Sequence, residues 1–219
     1  MREPENQMPY DAVIFDLDGT LVDTESLAFV TGRRVLARHG ADLTEAIFLQ
    51  LVGTANDTGL AILEQHFGAL DFDAIHADWL EEDRRRTDQG IPLKPGAIDL
   101  LDRLAAQATP VAIATSSRRA SATHKLAQSD LARRFEVVVT RDCVNLPKPA
   151  PDPYLLAASR LGADPRRCLV FEDSNTGAEA GFAAGMTVVQ VPDLVPPSGR
   201  HAHHLAYDLL RGAELAGLL

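Results

Sequence analysis

The chain has 219 residues, 46 % of them hydrophobic, and 21 Lys and Arg against 31 Asp and Glu, a formal net charge of -10. That length accommodates one sizeable core plus a smaller second module, and the apolar fraction is that of a folded globule. The acidic balance repels polyanions, so nucleic acid is not an expected partner, although a local basic pocket for a small phosphate stays compatible with it.

Cys143 and Cys168 lie far apart and outside any CxxC spacing, which predicts neither a disulfide framework nor a zinc site and fits a reducing cytosol. Residues Met1 to Tyr10 carry charges and prolines without an apolar stretch, against a signal peptide, and no later run is long enough to span a bilayer. A soluble, cytoplasmic protein with no membrane partner is expected.

The first element is the apolar run Val13-Ile14-Phe15, which empties into Asp16, Leu17, Asp18, Gly19 and Thr20. It reads as a strand buried on both faces, and ligands of open α/β sheets sit just beyond the carboxyl ends of such strands. From about Val22 to Gly90 the chain offers helical spacing, such as Leu60, Leu63 and Phe67, but no comparable strand. This interval reads as an inserted helical module in which Trp79, spaced four from Ile75, is a core anchor. The mixed-sign cluster Glu81 to Arg86 reads as a solvated, self-paired face. The turn-rich segment Gly90 to Gly96 marks the exit as a hinge.

Four more short apolar runs rich in β-branched residues follow: Val111 to Thr115, Val137 to Thr140, Cys168 to Glu172 and Thr187 to Val191. Helical patterns separate them: Ile98, Leu101, Leu104 and Ala105 on one face, then Pro153 to Leu161, then a helix after Asn175 that stops at Gly185. This alternation predicts a parallel, doubly wound α/β sheet. The core would comprise residues 1–21 and 91–219, and the helical module residues 22–90. His201, His203 and His204 follow a proline-rich loop without acidic or cysteine partners, so a polar surface loop is preferred over a metal site.

Reactive residues fall just past the carboxyl ends of these strands. The first delivers Asp16 and Asp18, the second Thr115 and Ser116, the fourth Glu172 and Asp173, and the loop after the third carries Lys148. Crowded carboxylates raise one another's pKa values unless a cation neutralises them, and magnesium, which takes few carboxylates plus water and a phosphate oxygen, suits such an edge. Lys148 and Thr115 would hold phosphoryl oxygens. The two acids can divide labour, Asp16 as nucleophile and Asp18 as proton donor and acceptor.

At these residues the chain resembles the haloacid dehalogenase superfamily, in particular the branch of β-phosphoglucomutase, phosphoglycolate phosphatase and pseudouridine monophosphatase. The resemblance rests on Asp16-Leu-Asp-Gly-Thr20, Thr115-Ser116, Lys148 before a proline, and Glu172-Asp173-Ser174 followed by Asn175-Thr-Gly177. It implies an aspartyl-phosphate at Asp16, magnesium held by Asp16, the backbone carbonyl of Asp18 and Asp173, with Glu172 assisting through water, and a helical cap after the first strand that excludes solvent and selects substrate. It also implies that strands one and four are neighbours. The second acid, Asp18, is absent from the dehalogenases proper and from phosphonoacetaldehyde hydrolases, so cleavage of carbon–halogen or carbon–phosphorus bonds is disfavoured.

The mutase's histidine and phosphate-clamping arginine correspond here to Ala28 and Asn56, and a neutral amide clamps a second phosphate poorly. The expected enzyme is therefore a magnesium-dependent phosphatase for a small phosphorylated metabolite, with a phosphomutase as alternative. Gly53, Thr54 and Asn56 are candidate contacts for the substrate's hydroxyls, and the state expected is a monomer or weak homo-oligomer. A receiver-type phosphoacceptor domain shares the sheet, aspartate, threonine and lysine, but its acid pair follows the first strand and it has no helical insertion.

Overall fold

The computed structural model describes residues 9–52, 56–68 and 70–219. Strands β1 (Ala12–Phe15), β2 (Val111–Ala114), β3 (Val137–Val139), β4 (Cys168–Glu172) and β5 (Thr187–Gln190) are the β-branched runs of the sequence. They form one parallel six-stranded sheet in the order β3-β2-β1-β4-β5-β6, with β6 (His204–Leu205) at its edge. The chain runs outward from β1 through β2 to β3, then returns to β1's other side with β4. That reversal is the topological switch point, where a sheet of this kind leaves a crevice.

The loop expected around His203 and His204 is thus corrected: it supplies the last strand. The His203 amide donates to the Val188 carbonyl at 2.9 Å, its Nδ1 accepts from the Val188 amide at 3.0 Å, and Ala206 donates to the Gln190 carbonyl at 3.0 Å. A two-residue strand, His204–Leu205, has no periodicity to read; it exists because β5 has an edge to satisfy.

Every residue of β1 and β4 is buried, as strands covered on both faces must be. Ala12, Ile14, Cys168, Val170 and Val188 join one core cluster with Tyr154, Ala157 and Ala158 of α7 (Asp152–Leu161) and Ala178 and Ala180 of α8 (Asn175–Ala183). On the opposite face Phe15 stacks on Phe171 with ring centroids 5.2 Å apart. The short helix Leu209–Leu215 approaches that face through Gly212, where a Cβ would stand 2.5 Å from Val189.

The helix at Ala97–Ala106 buries Ala97, Leu100, Leu101 and Leu104. Its inward face is therefore rotated from the one expected, because Ile98 is only partly buried and Ala105 is exposed. The helix at Arg119–Gln128 buries Ala122 and Leu126.

The chain separates into two compact units, Met1–Val22 with Leu93–Leu219, and Asp23–Pro92. Within the second, α1 (Thr24–Arg38), α2 (Glu45–Leu51), α3 (Asn56–Phe67) and α4 (Phe72–Thr87) are helical, with Asp23 and Asp71 as N-caps of α1 and α4. Helices α1 and α4 meet at Gly32, where a Cβ would lie 2.3 Å from the Trp79 ring, so Trp79, although only half-buried, packs across α1.

The Glu81–Arg86 cluster is not simply a solvated face. Glu82 is 6 % exposed and accepts from Arg34, Arg38, Arg85 and Arg86 at 2.7 to 3.3 Å. Two of those partners lie on another helix, which a single-helix pattern does not show.

Candidate active site

The site forms where β1 and β4 end side by side. Phe15 pairs with Phe171 in register, and the Asp16 amide donates to the Phe171 carbonyl at 2.9 Å, which sets Asp16 beside Glu172. Lys148 reaches between the two from the loop after β3. Its Nζ lies 2.6 Å from Asp16 Oδ1 and 2.5 Å from Glu172 Oε1, with side-chain exposures of 4 % for the lysine, 8 % for Asp16 and 1 % for Glu172. Burial alone would lower the lysine's pKa, but Asp16 and Glu172 outweigh it and carry it above the ordinary value.

Glu172 is fully engaged. Besides Lys148 it accepts from the Tyr154 hydroxyl at 2.8 Å and, through Oε2, from the Ser174 amide at 3.1 Å and hydroxyl at 2.9 Å. Gly177 makes room for it, since a Cβ there would stand 1.7 Å from Oε1. The water-mediated metal contact anticipated for Glu172 thus meets oxygens already committed to protein donors. Its geometry is that of a holder of Lys148.

Asp173 lies against the turn after β1. Thr20 Oγ1 donates to its Oδ1 at 3.3 Å, and Gly19, at φ +78°, would bring a Cβ within 2.6 Å of Oδ2. Only a glycine both adopts that backbone and leaves that space. Buried Gln190 supports the same loop, donating to the Asp173 carbonyl at 3.1 Å.

Electrostatically the cluster is short of positive charge. Asp16, Glu172 and Asp173 all draw on the buried ammonium of Lys148. Burial raises Asp16 to about 7, Lys148 opposing and Glu172 and Asp18 adding to the rise. Burial, then Glu172 and Asp16, raises Asp173 to about 9. A divalent cation relieves such a deficit. Among the described residues no three carboxylate, imidazole or thiol side chains converge as a ready metal cage. Magnesium does not need one, because it retains waters and takes one or two carboxylates with substrate oxygens. The donor set at Asp16 and Asp173 therefore fits it.

Asp18 occupies a different environment. Its Oδ1 is 2.5 Å from Lys125 Nζ, its Oδ2 accepts from Ser117 Oγ at 2.7 Å, and Lys125 also donates to Ser117 at 3.0 Å. Thr115, 2 % exposed, uses its hydroxyl to accept from the Ser117 amide at 3.0 Å, whereas Ser116 is exposed. Arg118 is also exposed and pairs with Asp142. Gly53 and Thr54 lie outside the described residues. Asn56 opens α3, and its side chain is likewise outside them.

The fold gathers Asp16, Lys148, Glu172 and Asp173 at the ends of β1 and β4 and sets Asp18 apart with Lys125 and Ser117; Lys125, Ser117, Tyr154 and Gln190 are additions that the sequence pattern did not single out. Lys125 had a signal: it falls three positions after buried Ala122 and just before buried Leu126, at the margin of its helix's inward face.

A doubly wound sheet that places a buried lysine among carboxylates at its switch point is the frame of an α/β enzyme site suited to an anionic ligand and a cation. A family model for haloacid dehalogenase-like hydrolases matches residues 13–191, and the chain belongs to that family. It is 35 % identical over 177 residues to a phosphorylated carbohydrates phosphatase of Thermotoga maritima, covering 80 % of this chain and 82 % of that one. It is also 35 % identical to the fructose-1-phosphate phosphatase YqaB of Escherichia coli, covering 83 % and 96 %. A Deinococcus radiodurans haloacid dehalogenase family hydrolase, crystallised with bound phosphate and sodium, superposes with a TM-score of 0.84 at 33 % identity, covering 97 % and 99 %. The protein is a phosphoric monoester hydrolase of the phosphoglucomutase and phosphatase branch. Among the described residues no helix is long and apolar enough to cross a membrane.

Proposed function

We propose that the protein is a magnesium-dependent phosphatase that hydrolyses a small phosphorylated metabolite, a sugar phosphate or similar monoester, through a covalent phosphoaspartate. The observation that carries this reading is the separation of the two acids after β1: Asp16 is paired with buried Lys148, and Asp18 with Lys125 and Ser117. Two carboxylates in separate environments can take two roles.

An Asp16 oxygen attacks phosphorus, and the bond from phosphorus to the ester oxygen breaks. Asp18, in its acid form, gives its proton to the departing oxygen. Water then attacks the phosphoaspartate, losing a proton to Asp18, and the bond between phosphorus and Asp16 breaks to release phosphate. Lys148, with Thr115 and Ser116 as further candidates, stabilises the phosphoryl oxygens during both transfers. Magnesium would be held by Asp16, Asp173 and the backbone carbonyl of Asp18, and supplies charge neutralisation for the phosphoryl group.

Sugar phosphates are preferred as substrates because the relatives just named include a phosphorylated carbohydrates phosphatase and a fructose-1-phosphate phosphatase. The helical unit, Asp23–Pro92, is assigned the selection of substrate as the family's cap, with Gly53, Thr54 and Asn56 as candidate contacts. A panel of phosphorylated metabolites scored by phosphate release, ranked by kcat/KM, tests the substrate class. Rapid acid quench followed by peptide mass spectrometry tests the mechanism. A phosphoryl group on the Asp16 peptide is expected, and its absence at steady state together with a full burst of product would refute the covalent route.

A further inference from the structure

We propose that Lys125 and Ser117 are positioning residues for Asp18, and that together they aim the carboxyl group that protonates the leaving oxygen. The inference rests on the role given to Asp18 above and adds two residues to it. Each Asp18 oxygen has its own donor, Lys125 Nζ on Oδ1 at 2.5 Å and Ser117 Oγ on Oδ2 at 2.7 Å. The donors are bonded to each other at 3.0 Å, so the three groups close a ring in which neither carboxyl torsion is free.

Both donors are themselves held. The Ser117 amide is tied to the buried Thr115 hydroxyl at 3.0 Å. The Lys125 carbonyl accepts from Ser129, through Oγ at 2.7 Å and the amide at 3.0 Å, which secures the last turn of its helix. Lys125 is 21 % and Asp18 26 % exposed, so the pair is shielded enough to keep its geometry yet open to a substrate. Ordering a lysine side chain for one exposed ion pair returns little; this ammonium is partly shielded and bonds two partners at once, Asp18 and Ser117. Small displacements of a general acid forfeit much of its effect.

The test uses the full-length protein and two esters: an alkyl phosphate that the unaltered protein turns over, and 4-nitrophenyl phosphate, whose leaving group departs readily without a proton. Because kcat/KM reports the steps up to expulsion of the leaving group, loss of a well-aimed acid penalises the alkyl ester selectively. Lys125→Met and Ser117→Ala are each expected to lower kcat/KM for the alkyl ester at least about tenfold more than for the aryl ester. Added to Asp18→Asn, Lys125→Met is expected to lower kcat/KM by no more than about twofold, since its target is gone.

Equal losses on the two esters, or a Lys125→Met loss undiminished in the Asp18→Asn background, would overturn the inference and make Lys125 a phosphate contact or a structural residue. Asp18→Asn serves as the reference. If it discriminates between the esters and Lys125→Met does not, only this inference fails. If Asp18→Asn itself shows no discrimination, the acid role of Asp18 fails and this inference with it. Ser117→Ala removes one hydroxyl from a partly buried loop, so it reports even if Lys125→Met folds poorly.

Discussion

Lys148 is the residue on which the buried charges at the ends of β1 and β4 balance. Remove its ammonium, as in Lys148→Met, and Asp16 and Glu172 are left facing each other out of water. The expected result is loss of phosphate release together with a destabilisation of about 3 kcal/mol or more, read by urea unfolding with circular dichroism. Asp16→Asn removes one of the two acids instead and keeps the backbone bond to Phe171. It is expected to leave the unfolding midpoint near that of the unaltered protein while lowering kcat at least about a thousandfold. A midpoint shift as large as that of Lys148→Met would contradict this division. Gly177→Ala is a third probe: its methyl collides with Glu172 and must displace it, so kcat is expected to fall with Lys148 out of place although alanine favours the helix.

Among the elements, α4 shows how one turn of charge becomes part of a core. Glu82 is 6 % exposed, and the Arg85 hydrogen bonds above all, aided by Arg86 and Arg34, lower its carboxyl from 4.5 to about 2. A carboxylate with a depressed folded pKa contributes stability that is fully present above its unfolded value and is lost as pH falls through the folded one. The helical unit is therefore expected to lose stability between about pH 4.5 and 2 partly through Glu82. Glu82→Gln should reduce that dependence while weakening the unit at neutral pH, as seen in denaturant midpoints measured at pH 6 and pH 3. An unchanged acid limb in the variant would show that other carboxylates govern it.

The elements also mark the limit of reading from one dimension. Strands β1, β2, β4 and β5 were legible because burial on both faces leaves a short, nearly unbroken apolar run, and the ends of the β1 and β4 runs named Asp16, Asp18, Glu172 and Asp173. The edge strand at His204 and Leu205 was not legible, since its cause is the open edge of β5 rather than its own residues. For Glu82 the partners Arg34 and Arg38 belong to α1, and only helix packing joins them.

For the molecule as a whole, the sheet order β3-β2-β1-β4-β5-β6 places two acids from one strand end and two from another at one crevice. The surplus of carboxylates there supports the proposed dependence of activity on a divalent cation. Stripping with a chelator is expected to abolish phosphate release with the fold intact, and added magnesium to restore it, both followed by phosphate assay beside far-ultraviolet dichroism. Many turnovers of 4-nitrophenyl phosphate per chain are likewise expected. A single stoichiometric burst would instead indicate a phosphoacceptor.

The order of strand and helix, the acids at the strand ends and the lysine after the third strand are all written in local pattern, because burial period and turn chemistry act over a few residues. Which groups those side chains meet is not local. Lys125 lies 107 positions from Asp18, and Tyr154 lies 18 from Glu172. Such contacts exist only after parallel strands have been aligned and helices packed across them, and it is the packed, low-dielectric interior that turns a set of ordinary side chains into a charge balance with work to do.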